Sequence, residues 1–357
     1  MSVEVTAGDH TYTVVEDLVT RFEVIFVGSV LDEISGASVS GSFTVTVDRE
    51  DLVCRTVSGG RFCVAADIRA VFPDLTVPCP PIRLSVQAAG YREKSIAISF
   101  PANPIFPVTL AALAMRRLPV RLQGRVNQNT VTHPPIPGAR IIATAPGVQM
   151  ALVRAPVHFD HAMGITVQPR TLNALVLPPA RRLAAPLSAG ETRLLINNRQ
   201  NLIVGQILQI GSQSSGQYSR ISTISPTPAD LTQPGEIALE VAPNRSFPRD
   251  TPVDVFDLGI VGPGAHLVRS ADGGDGLIQL DGPLAAATIE IVDPAHPTEY
   301  HALGALTDGN GYYACDGICG VPALDMKAVA AGFVTPLGPV TRILDYNQPT
   351  NIVDFRL

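Results

Sequence analysis

The sequence predicts an all-β chain: a multi-domain arrangement of antiparallel β-sandwiches with a small β module inserted among them. Three observations carry this. Hydrophobicity alternates with a period near two, as in residues 42–48 (SFTVTVD), 82–88 (IRLSVQA), 238–242 (ALEVA) and 287–292 (ATIEIV), the pattern of half-buried strands. The 31 Pro and 30 Gly among 357 residues leave little room for long helices. Turn signals of Gly, Pro, Asn and Asp separate the runs at the short spacing of sandwiches and small barrels. The length asks for more than one core, and 46% hydrophobic against 16% charged residues is enough apolar surface to build them.

In chain order, residues 1–20 read as an N-terminal arm and 21–115 as a first sandwich. Within it, Ser58-Gly59-Gly60 turns a hairpin, while 66–71 and 110–117 have the only helical character. The uncharged run 95–115 is long enough to span a bilayer, but Pro101, Pro104 and Pro107 interrupt it and its alternation suits a sheet. No membrane insertion is expected. A second sandwich begins at 118 and extends to 260, with a barrel-like module at about 180–258. There 187–196, 202–211 and 217–221 form short strands ending near 252–256. Residues 262–357 read as a third sandwich.

An internal repeat links the two ends. Thr56-Val-Ser-Gly-Gly-Arg-Phe62 is followed by an alternating strand closing on Ala89-Gly90-Tyr91. Thr307-Asp-Gly-Asn-Gly-Tyr-Tyr313 is followed by one closing on Ala331-Gly332-Phe333. The middle of the chain supplies two further steps, Leu122-Gln-Gly-Arg-Val126 and Pro135-Ile-Pro-Gly-Ala139. Their degraded counterparts are Val27-Gly-Ser-Val30 and Ser38-Val-Ser-Gly-Ser42, and the strands at 277–280 and 287–292 are their loose counterparts in the last copy. These residues resemble the carboxypeptidase regulatory-like domain family, which implies transthyretin-like or immunoglobulin-like sandwiches that fold, space or bind. The hydrolase domain that carries that family's zinc has no counterpart here. The Val204-Gly-Gln-Ile-Leu-Gln-Ile-Gly211 stretch resembles, over a short span, β modules of phage-tail and other particle proteins.

Chemistry is sparsely signalled. Nucleophile elbows, Walker loops and zincin helices are absent. His158-Phe-Asp-His161 admits a metal or proton-transfer site or a polar strand edge. His296-Pro-Thr-Glu-Tyr-His301 with Cys315 and Cys319 admits a mixed zinc site, although Pro297 spoils a helical presentation. Asp272-Gly-Gly-Asp-Gly276 and Asp308-Gly-Asn-Gly311 could offer oxygens to Ca²⁺ but lack the later carboxylate, so tight turns are the reading adopted. The five cysteines, an odd count, read as free, half-buried thiols, with Cys54/Cys63 across their hairpin and Cys315/Cys319 around the Asp316-Gly317 turn as alternative disulfides that spacing alone leaves open. No catalytic, cofactor-binding or metal residue is assigned.

A net charge of −6 with no basic patch argues against nucleic acid. The N-terminus lacks the pattern of a secretory signal. Synthesis in the cytoplasm is expected, with release as part of an extracellular particle. The expected function is non-enzymatic: a structural or interaction protein whose partners are other protein subunits, as in a phage-tail-like contractile injection particle. A module recognising carbohydrate or a surface polymer is the alternative, and a hydrolase or metalloenzyme built on His158 a third reading.

Overall fold

The computed structural model describes residues 2–7, 10–15, 23–39, 42–72, 74, 76–284, 286–334 and 338–357. Half of the chain is strand, arranged in several antiparallel sheets, and the helix among the described residues is the single turn Ile68–Val71. The chain divides into two compact units, Met1–Leu118 and Pro119–Leu357.

In the first unit one sheet runs in the order Leu113–Met115, Glu23–Asp32, Arg61–Ala66, Leu52–Val57, and a second in the order Phe43–Val47, Cys79–Ala88, Lys94–Phe100. Their inward residues, among them Phe26, Phe62, Val45, Leu84 and Phe100, share one buried core. Alternation along 79–88, with Ile82, Leu84 and Val86 buried and Arg83 exposed, gives the strand its two faces. The helical expectation for 110–117 is corrected: Leu113–Met115 is a strand paired parallel to Val30, Leu31 and Asp32. Leu113 and Met115 are buried and Ala114 exposed, so period two wins over local helix propensity. Ser2–Ala7 and His10–Val15 form a two-stranded sheet. The rest of the expected arm, 16–20, and the Ser40-Gly41 step lie outside the described residues.

The second unit is organised differently from the sequence division into 118–260 and 262–357. Strand Val120–Asn127 pairs antiparallel with Tyr312–Ile318, and Arg140–Thr144 with Ala323–Val329. Leu122, Ile141, Tyr313, Leu324 and Met326 lie in one core. The strands expected to open the second sandwich and those expected to close the third therefore build a single sandwich. Residues 277–280 and 287–292 belong to other sheets, so the early strands of the last repeat are 120–127 and 140–144.

With that assignment the repeat becomes structural, residue for residue. Val30 N donates to Gly60 O at 2.7 Å and Val39 N to Val30 O at 3.2 Å; Val126 N donates to Gly311 O at 2.8 Å and Ile136 N to Val126 O at 2.9 Å. Gly28 pairs across with Phe62, and Gly124 with Tyr313. In both units two short strands then run parallel to the first: Val108–Thr109 beside Phe26 and Val27 and Leu113–Met115 beside Val30 to Asp32 in one, Thr350–Ile352 beside Arg121 to Gln123 and Phe355–Arg356 beside Val126 and Asn127 in the other.

Between Thr144 and Ala305 the second sandwich carries an insertion. Val153, Val167, Val268, Ile278, Ile289 and Ile291 form its core. A long ribbon, Thr166–Leu175 paired with Pro252–Val261, carries the same sheet on through Ile207–Ile210, Gln217–Ile224, Gly235–Leu239 and Arg193–Ile196. That end of the sheet has a core of its own, including Leu194, Leu208, Ile221, Ile237 and Val255. One insertion is nested in another.

Candidate functional site

His158–His161, Asp272–Gly276 and His296–His301 come together inside the insertion of the second unit, and the Asp272–Gly276 loop in turn meets Gly317 and Cys319 of the sandwich. His158–His161 follows the strand Met150–Leu152. His161 N donates to Ala271 O at 2.8 Å, Gly274 N to Val157 O at 2.8 Å, and Gly273 N to Asp160 Oδ1 at 2.7 Å. These bonds lay the 158–161 segment against the Asp272–Gly276 loop. On its other side stands the hairpin of Thr288–Val292 and Glu299–Ala302, which delivers Asp293, Glu299 and His301.

The side chains then close a buried network. His161 donates through Nδ1 to Asp293 Oδ2 at 2.8 Å and through Nε2 to Glu299 Oε1 at 2.9 Å. His301 Nε2 donates to Glu299 Oε2 at 2.8 Å, and the backbone N–H groups of His158 and Phe159 donate to the same carboxylate at 2.8 and 3.1 Å. Phe159 stacks on His296 with ring centroids 4.7 Å apart. Burial opposes ionisation of Glu299, but the bonds from His161 and His301 outweigh it and hold the carboxyl well below its usual range. Burial likewise opposes charge on His161, and its two carboxylate partners prevail, raising it. Asp293 is lowered by the same bond from His161. Burial pushes His158 down to about 4, helped by His301 and only partly opposed by the Glu299 carboxylate.

This is an imidazolium held between carboxylates, and it acts as a clamp. Each acceptor of Glu299 is taken by a donor, and both His161 nitrogens face a carboxylate. Among the described residues no group of three or more His, Cys, Asp or Glu side chains is placed to hold a metal ion. The mixed zinc arrangement considered from sequence is not assembled: His301 is on Glu299, His296 on Phe159, and Cys319 Sγ on Asp275 Oδ1 at 2.9 Å.

A second part of the site is backbone on backbone. Gly276 N donates to Gly317 O at 2.7 Å and Val153 N to Gly276 O at 3.0 Å. A Cβ at Gly276 would overlap the Asp316 carbonyl. The two Asp-Gly stretches thus serve as turns: Asp308 Oδ1 accepts from Asn310 N at 2.8 Å and Tyr312 N at 2.9 Å to close its hairpin.

All five cysteines are free thiols. Cys54 is opposite Val64 and Cys63 opposite Arg55, so the two thiols leave opposite faces of their hairpin. Cys315 and Cys319 are buried, and burial pushes the Cys315 thiol up to about 12.

Two further polar centres carry no motif in the sequence. In the first unit Asp32 accepts from Ile34 N, Ser35 N, Tyr91 Oη at 2.8 Å and Arg117 Nε at 2.5 Å. Burial would raise this carboxyl, but the bonds from Ser35, Tyr91 and Arg117 bring it to about 2. In the inner module Arg199 is fully buried, and its guanidinium donates to the carbonyls of Ser225, Thr227, Pro228 and Asp230. The signal for Asp32 was the Gly90-Tyr91 strand ending already noted, whose hydroxyl needs a partner once buried. Arg199 had none.

No protein-family model matches the chain, and no curated protein matches it. Among solved structures, the major pilin subunit BcpA of Bacillus cereus aligns over 94% of this chain and 99% of its own at 6% identity, with a TM-score of 0.19. A variant of the same pilin aligns over the same shares at 6% identity with a TM-score of 0.17. Likeness of that size carries no argument about fold or role.

Proposed function

We propose that the chain is a non-enzymatic subunit of a larger protein assembly, which it joins through the open edges of its sheets. The observation that carries this is the strand Val340–Ile343. Among the described strands it pairs only with Ala323–Val329, on one side, and all four of its residues are exposed, Ile343 to 85%. In the other sheet of the sandwich, the edge strand Thr350–Ile352 ends on Ile352, 70% exposed. An unpaired edge with apolar side chains is a template for another chain, and monomeric proteins usually guard such edges with charge or Pro. Here Arg342 is the single charged residue on the edge. Within this class the proposed setting is a phage-tail-like contractile injection particle, supported by the nested β module in the middle of the chain.

Native co-purification tests the proposal. Other subunits should be recovered in fixed ratio with the tagged chain, and Ile343→Lys should reduce that recovery by tenfold or more without lowering its thermal stability. A native source that yields the chain alone overturns it.

A second reading is favoured by a polar cleft of about 480 Å³ beside the Asp308 turn, lined by Arg125, Asn127, His133, Asn310 and Tyr312. Amide, hydroxyl and guanidinium groups around an aromatic edge suit a carbohydrate. Binding on a glycan array that Tyr312→Ala abolishes would establish it; an array with no signal removes it.

A further inference from the structure

We propose that the folded chain cuts itself once, under mildly acidic conditions, at the Asp293–Pro294 peptide bond, with the Asp293 carboxylate as nucleophile and the His161 clamp as the device that aims it.

Asp293-Pro294 is the single Asp-Pro step in the sequence. It stands where the strand Thr288–Val292 ends, at the head of the turn that leads to Glu299–Ala302. Asp at the first position and Pro at the second suit such a turn by themselves. A turn alone does not call for a buried imidazolium on the carboxylate. Here His161 Nδ1 donates to Asp293 Oδ2 at 2.8 Å, and Ala295 N donates to Oδ1 at 2.9 Å. Glu299 Oε1 holds the far side of the His161 ring at 2.9 Å. The carboxylate is therefore fixed from two directions, a five-membered ring away from its own main-chain carbonyl carbon. His296 N donates to that carbonyl oxygen at 3.1 Å, where negative charge develops on attack. Pro294, on the leaving side, is exposed to water.

The step balances without a co-reactant other than water. A carboxylate oxygen of Asp293 adds to the Asp293 carbonyl carbon, and the C–N bond to Pro294 breaks. Its electron pair stays on the proline nitrogen, which takes a proton from solvent and leaves as a secondary amine. One water opens the cyclic anhydride left at residue 293 into two carboxyl groups, and nothing is oxidised or reduced. An internal nucleophile already in place removes the entropy of an encounter. The reaction needs an ionised carboxylate and a protonated leaving nitrogen, demands that conflict as pH falls. The clamp eases the conflict, because the bonds from His161 and Ala295 hold Asp293 below its usual range, with His296 of its own turn adding to the effect. His158 and His301 act on this carboxyl only through Glu299, and Asp160 is turned to Gly273 N.

The cut leaves the fold joined. Tyr312–Ile318 and Ala323–Val329, on the C-terminal fragment, pair with Val120–Asn127 and Arg140–Thr144 on the other, so residues 1–293 and 294–357 stay together as a nicked protein.

Intact-protein mass spectrometry from pH 3 to pH 6, on the native chain and on the chain unfolded in urea, tests this. At the lowest pH where circular dichroism shows the fold intact, the native chain should release 1–293 and 294–357 at least tenfold faster than the unfolded one. The two fragments should co-elute until denaturant is added. Pro294→Ala, which keeps the carboxylate and its bonds, should slow the cut at least tenfold at an unchanged melting temperature. His161→Gln should remove the advantage of the native chain and raise the pH at which its rate levels off toward the ordinary carboxyl value near 3.9. Less than a tenfold advantage of the native chain, a cut at any other bond, or a Pro294→Ala rate equal to the wild type overturns the proposal.

Discussion

Asp32, His161 and Arg199 hold charge where water does not reach, and each makes a separate prediction. The Asp32 carboxyl, lowered to about 2, contributes stability that is present above its unfolded value near 3.9 and is lost as pH falls through 2. Asp32→Asn should therefore cost about 2 kcal/mol at pH 7, about 10 °C in the melting of the first unit, and only about 0.4 kcal/mol at pH 2, where the folded carboxyl is half protonated. An equal loss at both pH values would show that shape rather than charge is at stake. Inside the insertion the two histidines have opposite signs. His161 is raised, so its contribution is full below about 6.5 and lost as pH rises through its folded value. His158, lowered to about 4, costs stability as pH falls from about 6.5 toward 4. Melting temperature of the second unit should decline on both sides of a slightly acidic optimum. His161→Gln should abolish the alkaline decline and leave the acid one; a mutant that retains the alkaline decline would exclude His161 as its source. Arg199→Met should leave four carbonyls in the inner module without a donor and cost about 3 kcal/mol, read as accelerated hydrogen exchange of the 225–231 loop.

At the scale of elements, the recurring unit is a glycine on one strand paired with an aromatic on the next, and the two copies differ in what fills the glycine's space. A Cβ at Gly28 would stand 2.5 Å from the tip of the Phe62 ring, a side chain, whereas one at Gly124 would overlap the Val353 backbone carbonyl. A ring can tilt; a paired strand cannot without losing its bonds. Gly124→Ala should therefore destabilise its unit by several kcal/mol and Gly28→Ala by about 1 to 3, a ranking that denaturant melts of the two variants would reverse if the ring were the stiffer neighbour. This level of the fold was the most legible in the sequence, because a hairpin's turn residues and its alternation are local. Thr56 to Phe62 and Thr307 to Tyr313 could be matched by eye, and the strand at 79–88 read off its period. Where local signals conflict with packing, sequence reading failed: 110–117 has helix-forming Leu, Ala and Met, but Leu113 and Met115 are needed side by side in a core whose other members lie up to ninety residues away.

For the whole molecule, sequence order hid the architecture, since a nested insertion separates strands that pair. Val120–Asn127 finds its partner at Tyr312–Ile318, and nothing in either segment encodes the distance between them; the same holds for His158 to His161 and His296 to His301, two motifs that were visible singly and could not be joined, while Asp293, which completes the clamp, stood in neither. The division into Met1–Leu118 and Pro119–Leu357, each with its own core, leads to a prediction about cooperativity. Calorimetry should resolve two transitions. Asp32→Asn should move only one of them, and Gly276→Ala, which forces the Asp272–Gly276 loop off the Asp316 carbonyl, only the other. The nested insertion shares that second transition, because Gly276 N on Gly317 O, Cys319 Sγ on Asp275 Oδ1 and Arg140 Nη2 on the Ala286 and Leu303 carbonyls bond it to the sandwich that carries it. The double mutant should then show both shifts, additive within about 0.5 kcal/mol. A single transition moved by either substitution would mean that the two units unfold as one, and a third transition lost on Gly276→Ala would mean that the insertion melts independently of the sandwich that carries it.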